Sequence, residues 1–114
     1  LRFDDGREFE VSGVIAIGRE PSPHERVPAD ASFLAVADPE RSISKLHLLV
    51  TVTAGNVSVQ DCGSVNGTMV ITTDRQTALS PWTPVVLGDG STVEFGTRSF
   101  RLVVDALVPG AGTA

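Results

Sequence analysis

The sequence is interrupted so often that it cannot build long helices. Glycine and proline recur at short intervals, 11 and 7 times, with Asn66-Gly67 and Asp89-Gly90 among the breaks. Between the breaks lie short runs rich in β-branched residues, and no window of about 11 residues carries the 3.6-residue apolar period of an amphipathic helix. Residues 48–53 alternate Leu48, Val50 and Val52 against Leu49, Thr51 and Thr53. Val57 and Val59 alternate with Ser58 and Gln60, and residues 14–17 and 33–36 are compact apolar runs. Residues 8–11, 69–71, 85–87, 92–95 and 100–104 complete a set of about ten short strands separated by turn signals. Period-two alternation at this spacing predicts an all-β sandwich or barrel. Ala54-Gly55-Asn56, Asn66-Gly67 and 88–90 are expected turns, with Asn66-Gly67 read as a hairpin. Residues 20–30 (EPSPHERVPAD) and 72–84 read as loops, and 105–114 as a Gly/Ala-rich linker or tail after a domain spanning 1–104.

The 114 residues suit one domain, and their balance narrows its partners. Nine Lys and Arg against 14 Asp and Glu give a net charge of −5, which disfavours nucleic acid and anionic membrane surfaces. Aromatic content of 5% with no tyrosine offers little for base stacking. The lone cysteine, Cys62, excludes an internal disulfide and a cysteine-rich zinc site, and it reads as a buried or half-buried thiol. No cofactor or metal is implied. No apolar run reaches the ~18 residues of a membrane span, so no direct membrane insertion is expected, and no signal peptide is visible. The opening Leu1 in place of methionine suggests a piece of a longer protein.

In a sandwich, loops at one end form a natural binding edge. Three polar groups fall at strand ends: Gly18-Arg19, the run 41–47 (RSISKLH), and the run 61–68 (DCGSVNGT). They supply guanidinium, ammonium, hydroxyl and amide donors without an obvious nucleophile and base. Ser44 and His47, three apart, would point to opposite faces if they lay on a strand. His47 reads as a strand-start histidine bonding loop backbone, Asp61 as a brace for its own loop, and His24 as solvent-exposed. Arg41 is a second basic contact or a partner for Glu40 or Asp38, the latter slightly favoured.

Gly-Arg after an apolar strand, then Ser-x-x-His, Ser-x-Asn-Gly-Thr, and Gly-Asp near a Phe-Gly strand resembles the forkhead-associated (FHA) domain, over about residues 11–104. The resemblance implies a β-sandwich of about eleven strands with binding loops at one end. It implies a non-catalytic module that binds a phosphothreonine-containing protein or peptide downstream of a Ser/Thr kinase. It places Arg19 and Ser44 on the phosphate, Ser44 through both hydroxyl and backbone amide. Lys45 becomes an added phosphate or peptide contact, Asn66 reads the peptide backbone, and Ser64 is a further phosphopeptide-binding residue. Gly18, His47, Gly67 and Thr68 shape the loops.

The need for kinase-made phosphate implies a cytoplasmic setting, even if the host protein is membrane-anchored. A composition rich in Ala, Val, Gly and Arg fits a bacterial type. Three departures stand out: Val65 sits where the family often has threonine, residues 69–74 (MVITTD) lack a second Asn-Gly, and the loop after Arg19 is long. That loop is expected to shield the pocket or select residues flanking the phosphothreonine. The departures also keep open a phosphate-independent interaction scaffold of the same fold.

Overall fold

The computed structural model describes residues 1–103; the expected linker or tail at 105–114 lies outside the described residues. Among the described residues, ten strands form two five-stranded sheets. The strands are β1 (Arg2–Phe3), β2 (Gly13–Gly18), β3 (Ser32–Ala35), β4 (Leu48–Thr53), β5 (Asn56–Asp61), β6 (Thr68–Ile71), β7 (Gln76–Ala78), β8 (Val85–Leu87), β9 (Thr92–Phe95) and β10 (Arg98–Arg101). One sheet runs β1-β10-β9-β6-β7 and the other β3-β2-β4-β5-β8. All pairings are antiparallel except β2 with β3, whose parallel registry needs the long 19–31 crossover. The period-two runs predicted a sandwich or barrel, and of the two the structure is the sandwich that the family resemblance implied.

Alternation decides which side chains meet between the sheets. Ile15, Ile17, Leu48, Val50 and Val59 of one sheet face Phe3, Val70, Val93, Phe95 and Phe100 of the other in one buried cluster. The opposite face of β2 and β4 is covered as well: Ala16 and Leu49 pack with Val27 of the long loop, flanked by Trp82 and Cys62. Burial on both faces explains why residues 14–17 and 48–50 are continuously apolar. The 20–30 loop therefore closes a second small core on the outer face of this sheet.

Several local expectations change. Residues 8–11 form no strand; the edge beside β10 is taken by β1, and Phe9 packs edge-on against Phe3 at 5.5 Å. The polar 72–84 segment contributes β7, which pairs with β6. The Ala54-Gly55 turn is a hairpin, with φ positive at both residues (47° and 82°) as a type I′ turn requires. Asn66-Gly67 is not a hairpin. β5 and β6 belong to different sheets, so residues 62–67 cross the sandwich.

Candidate functional site

Strand registry gathers the expected residues at one end. Ile17 lies opposite Leu48 and Leu48 opposite Asp61, so Gly18, His47 and Cys62 leave one sheet side by side. Thr68 and Arg98 lie opposite Phe95, which brings Gly67 and the Gly96-Thr97 turn to the same edge of the other sheet. Four chain segments therefore meet: 18–20, 38–47, 62–67 and 96–97.

The closest approach is between Gly18 and the 44–45 backbone. A Cβ on Gly18 would stand 1.9 Å from the Lys45 carbonyl oxygen, so only glycine fits. This proximity allows the Arg19 amide to donate to the Ser44 carbonyl (3.0 Å) and the Glu20 amide to the Lys45 carbonyl (3.2 Å). The Arg19 side chain then lies along the same loop, its Nε donating to the Ile43 carbonyl at 3.3 Å and standing 3.9 Å from Asp38 Oδ2. Its four terminal N–H donors have no partner among the described residues.

Asp38 shapes the loop that carries Ser44. Its carboxylate accepts the amides of Ser42 and Ile43, each at 2.9 Å, and lies almost wholly out of solvent (1% exposed). Burial works to raise its pKa, but the Ile43 and Ser42 donors overcome this and hold the carboxyl below its ordinary value. Ser42 in turn joins three segments. Its hydroxyl accepts the Thr97 amide at 2.8 Å, and its carbonyl accepts Asn66 Nδ2 at 2.9 Å. Neither role was visible from the motif, although Asp38-Pro39 is a turn-initiating pair. Arg41 makes no ion pair with Glu40 or Asp38 among the described residues, contrary to the favoured expectation. Its backbone adopts φ 54° and its amide donates to the Asp38 carbonyl at 3.1 Å.

Ser44 and His47 do meet, because 44–47 is a turn and not strand. The contact is through the backbone: the Ser44 amide donates to His47 Nδ1 at 3.0 Å. That amide is therefore committed to His47, and only the hydroxyl of Ser44 remains for a ligand. The hydroxyl oxygen accepts the Val65 amide at 3.0 Å, which leaves its proton to donate. His47 is fully buried and donates from Nε2 to the Gly67 carbonyl at 2.8 Å, which fixes the neutral tautomer. Burial lowers its pKa below 6.5, against the bond to Gly67 and the charge of Asp61, which raise it.

Asp61 braces the second loop as expected. It is 2% exposed and accepts the Ser64 hydroxyl, the Ser64 amide (2.9 Å) and the Thr68 hydroxyl (2.7 Å). Ser64 also accepts the Gly67 amide at 2.9 Å. Its one hydroxyl proton is held by Asp61, so Ser64 builds the loop from inside together with Thr68. Burial would raise the Asp61 pKa, but the Ser64 and Thr68 bonds hold it below the ordinary carboxylate value.

The outer residues are differently placed. Asn66 is exposed; its second Nδ2 hydrogen and its Oδ1 have no partner among the described residues. Val65 is 89% exposed at the loop tip. Lys45 stands 3.6 Å from Glu20, both on the surface, a pairing worth little in water. His24 is exposed yet stacks on Trp82, with centroids 5.5 Å apart, and Arg26 covers the same ring at 5.1 Å. Burial pushes the Cys62 thiol up to about 12, so it stays protonated and unreactive.

These couplings give a signed pH dependence. His47 has a depressed pKa in the fold, so its contribution is present above 6.5 and is lost as pH falls below that value. Asp38 and Asp61 also sit below their ordinary 3.8, and their contribution is lost as pH falls through and below that value. Burial also lowers the pKa of the Leu1 amine below 8.0, so its contribution is lost first, and melting temperatures measured from pH 8 to 3 decline in stages, the His47 stage beginning near pH 6.5. A flat profile between pH 7 and 4.5 would contradict the His47 assignment.

The fold and this edge define a β-sandwich whose loops converge on a cluster of hydrogen-bond donors. The FHA domain family model matches residues 15–96. An FHA domain-containing protein of Arabidopsis thaliana is 32% identical over 90% of the chain, and the chain spans only 23% of that relative's length. Among solved structures, the FhaA FHA domain complexed with the intracellular domain of Rv3910 is 25% identical, with a TM-score of 0.60 over 86% of this chain and 91% of that one. A second, from a structural and functional analysis of phosphothreonine-dependent FHA domain interactions, is 25% identical with a TM-score of 0.64 over 93% and 95%. The chain belongs to the FHA family, whose members are phosphothreonine-binding modules and generally non-catalytic.

Proposed function

We propose that this domain captures a phosphothreonine peptide at the loop edge, after a Ser/Thr kinase has acted, and recruits the bearer of that peptide without catalysis. Arg19 and Ser44 hold the phosphate, Asn66 reads the adjacent peptide backbone, and Lys45 adds a peripheral charge. Arg41, exposed on the same loop as Ser44, is a second basic contact. The cytoplasm, where such kinases act, is the setting this role requires.

The observation that carries the reading is the pairing of Arg19 with Ser44. Arg19 is tied to the Ser44 loop by its amide and its Nε, and its four terminal donors are unspent. The Ser44 oxygen is filled by the Val65 amide, so its proton is the group on offer. A phosphothreonine near pH 7 is close to a dianion with three strong acceptor oxygens, which is what a planar guanidinium fork and a hydroxyl donor complement. Asn66 offers both a donor and an acceptor, matching the amide and carbonyl of an extended peptide.

An oriented phosphothreonine peptide library tests the reading. The expected result is strong retention of phosphothreonine peptides, weak retention of the same library without phosphate, and selection at positions flanking the phosphate. Equal retention of the two libraries would overturn it.

A further inference from the structure

Beside the loop edge, the outer face of the β1-β10-β9-β6-β7 sheet holds a cleft of about 200 Å³. Its lining includes Asn66, Gly67, Met69, Ala78, Leu79 and Glu94. Strand registry builds it. Met69 on β6 lies opposite Ala78 on β7 and opposite Glu94 on β9, so the three residues form one row across three strands. Their neighbours Val70, Val93 and Phe95 are buried between the sheets, which leaves Met69 and Glu94 on the outer face. Glu94 is exposed and has no ion pair or hydrogen bond among the described residues. Among the described residues it is the single ionisable one in the lining.

We propose that this cleft receives a basic side chain, lysine or arginine, of the same phosphopeptide. The aliphatic stem lies over Met69, Ala78 and Leu79, and the cationic head meets Glu94. Long basic side chains bury their methylenes on apolar surface while the charge stays solvated, which is the division this cleft offers. The inference rests on the phosphopeptide reading, because Asn66 belongs to both sites. Met69 is three residues from Asn66, about 10 Å of extended chain at most, so the basic residue falls within about four positions of the phosphothreonine. A negative phosphate at Arg19 and a positive side chain at Glu94 give the peptide two charges of opposite sign, which fixes its direction and register.

The test is a lysine scan. Capped alanine-based phosphothreonine peptides carry one lysine at each position from four residues before to four after the phosphate, with a phosphate-free copy of each. The domain is expected to bind about three- to fivefold tighter when lysine occupies one particular position, a size set by a largely exposed ion pair. The advantage shrinks at high salt. In Glu94→Gln the ratio of the lysine peptide to its alanine parent falls to about one. In Glu94→Lys the preference inverts, so that a glutamate peptide outcompetes lysine at that position. A scan with no favoured position, or a preference that persists in both variants, would overturn the subsite while phosphate-dependent binding stands. Equal binding of the phosphate-free copies would instead overturn the phosphopeptide reading, and the subsite with it.

Discussion

Arg19→Ala is expected to abolish measurable capture of a phosphothreonine peptide while leaving the fold almost as stable as before. The guanidinium has four unspent donors, and charge-assisted bonds contribute roughly 1.5–3 kcal/mol each. Losing two of them costs about 3–6 kcal/mol, a fall in affinity of about 100-fold or more. The side chain is 40% exposed, and its internal contacts are one 3.3 Å bond to the Ile43 carbonyl and a 3.9 Å approach to Asp38. Its removal should therefore cost about 1 kcal/mol of stability or less. Arg19→Lys should restore little, because an ammonium cannot reproduce the planar fork. Affinity is read by calorimetry and stability by thermal melting. Undiminished partner capture by Arg19→Ala would favour the phosphate-independent scaffold.

Asp61→Ala should have the opposite profile and fail first in stability. Its carboxylate satisfies the Ser64 hydroxyl and amide and the Thr68 hydroxyl in a site only 2% exposed. Leaving these donors unmatched costs about 3–5 kcal/mol. For a domain of this size that lowers the melting temperature by roughly 15–30 °C. The damage then spreads to the ligand edge. Ser64 holds the Gly67 amide, and Gly67 holds His47, which holds the Ser44 amide. Asp61→Asn is the informative companion. It keeps one oxygen for the Ser64 amide, and the two hydroxyls can rotate to accept from its Nδ2, so it should cost only about 1–2 kcal/mol. Equal melting temperatures for wild type and Asp61→Ala would show that the brace is unimportant.

These two residues also show what the sequence makes legible. Arg19 is legible as a candidate because Gly-Arg after an apolar strand belongs to a recognisable order of motifs, and the structure ties its amide and Nε to the loop that carries Ser44. Asp61 reads from the sequence as a brace of its own loop through Asx-type bonds, and its bonds to Ser64 and Thr68 match that role. Residues that act through backbone groups or through distant segments carry no motif signal. Asp38 acts through amides four and five residues ahead, and Ser42 acts on Thr97 and Asn66. The Asn66-Gly67 pair misled for a related reason. The dipeptide favours a tight turn but does not say whether the flanking strands share a sheet, and here they do not. β7 was hidden because Gln76–Ala78 has exposed ends and no apolar alternation. The role of the 20–30 loop became visible only through Val27, which packs on Ala16 and Leu49. Its composition alone gave no reason to put one residue inside.

The central claim is that Arg19 and Ser44 together grip a doubly charged phosphate. Its most direct test is calorimetric titration of the domain with one peptide in three forms: phosphothreonine, threonine and glutamate. Only the phosphorylated form is predicted to give a saturable heat, since a glutamate carries one charge and two oxygens where the site is arranged for a three-oxygen dianion. Comparable binding of all three forms would contradict the account.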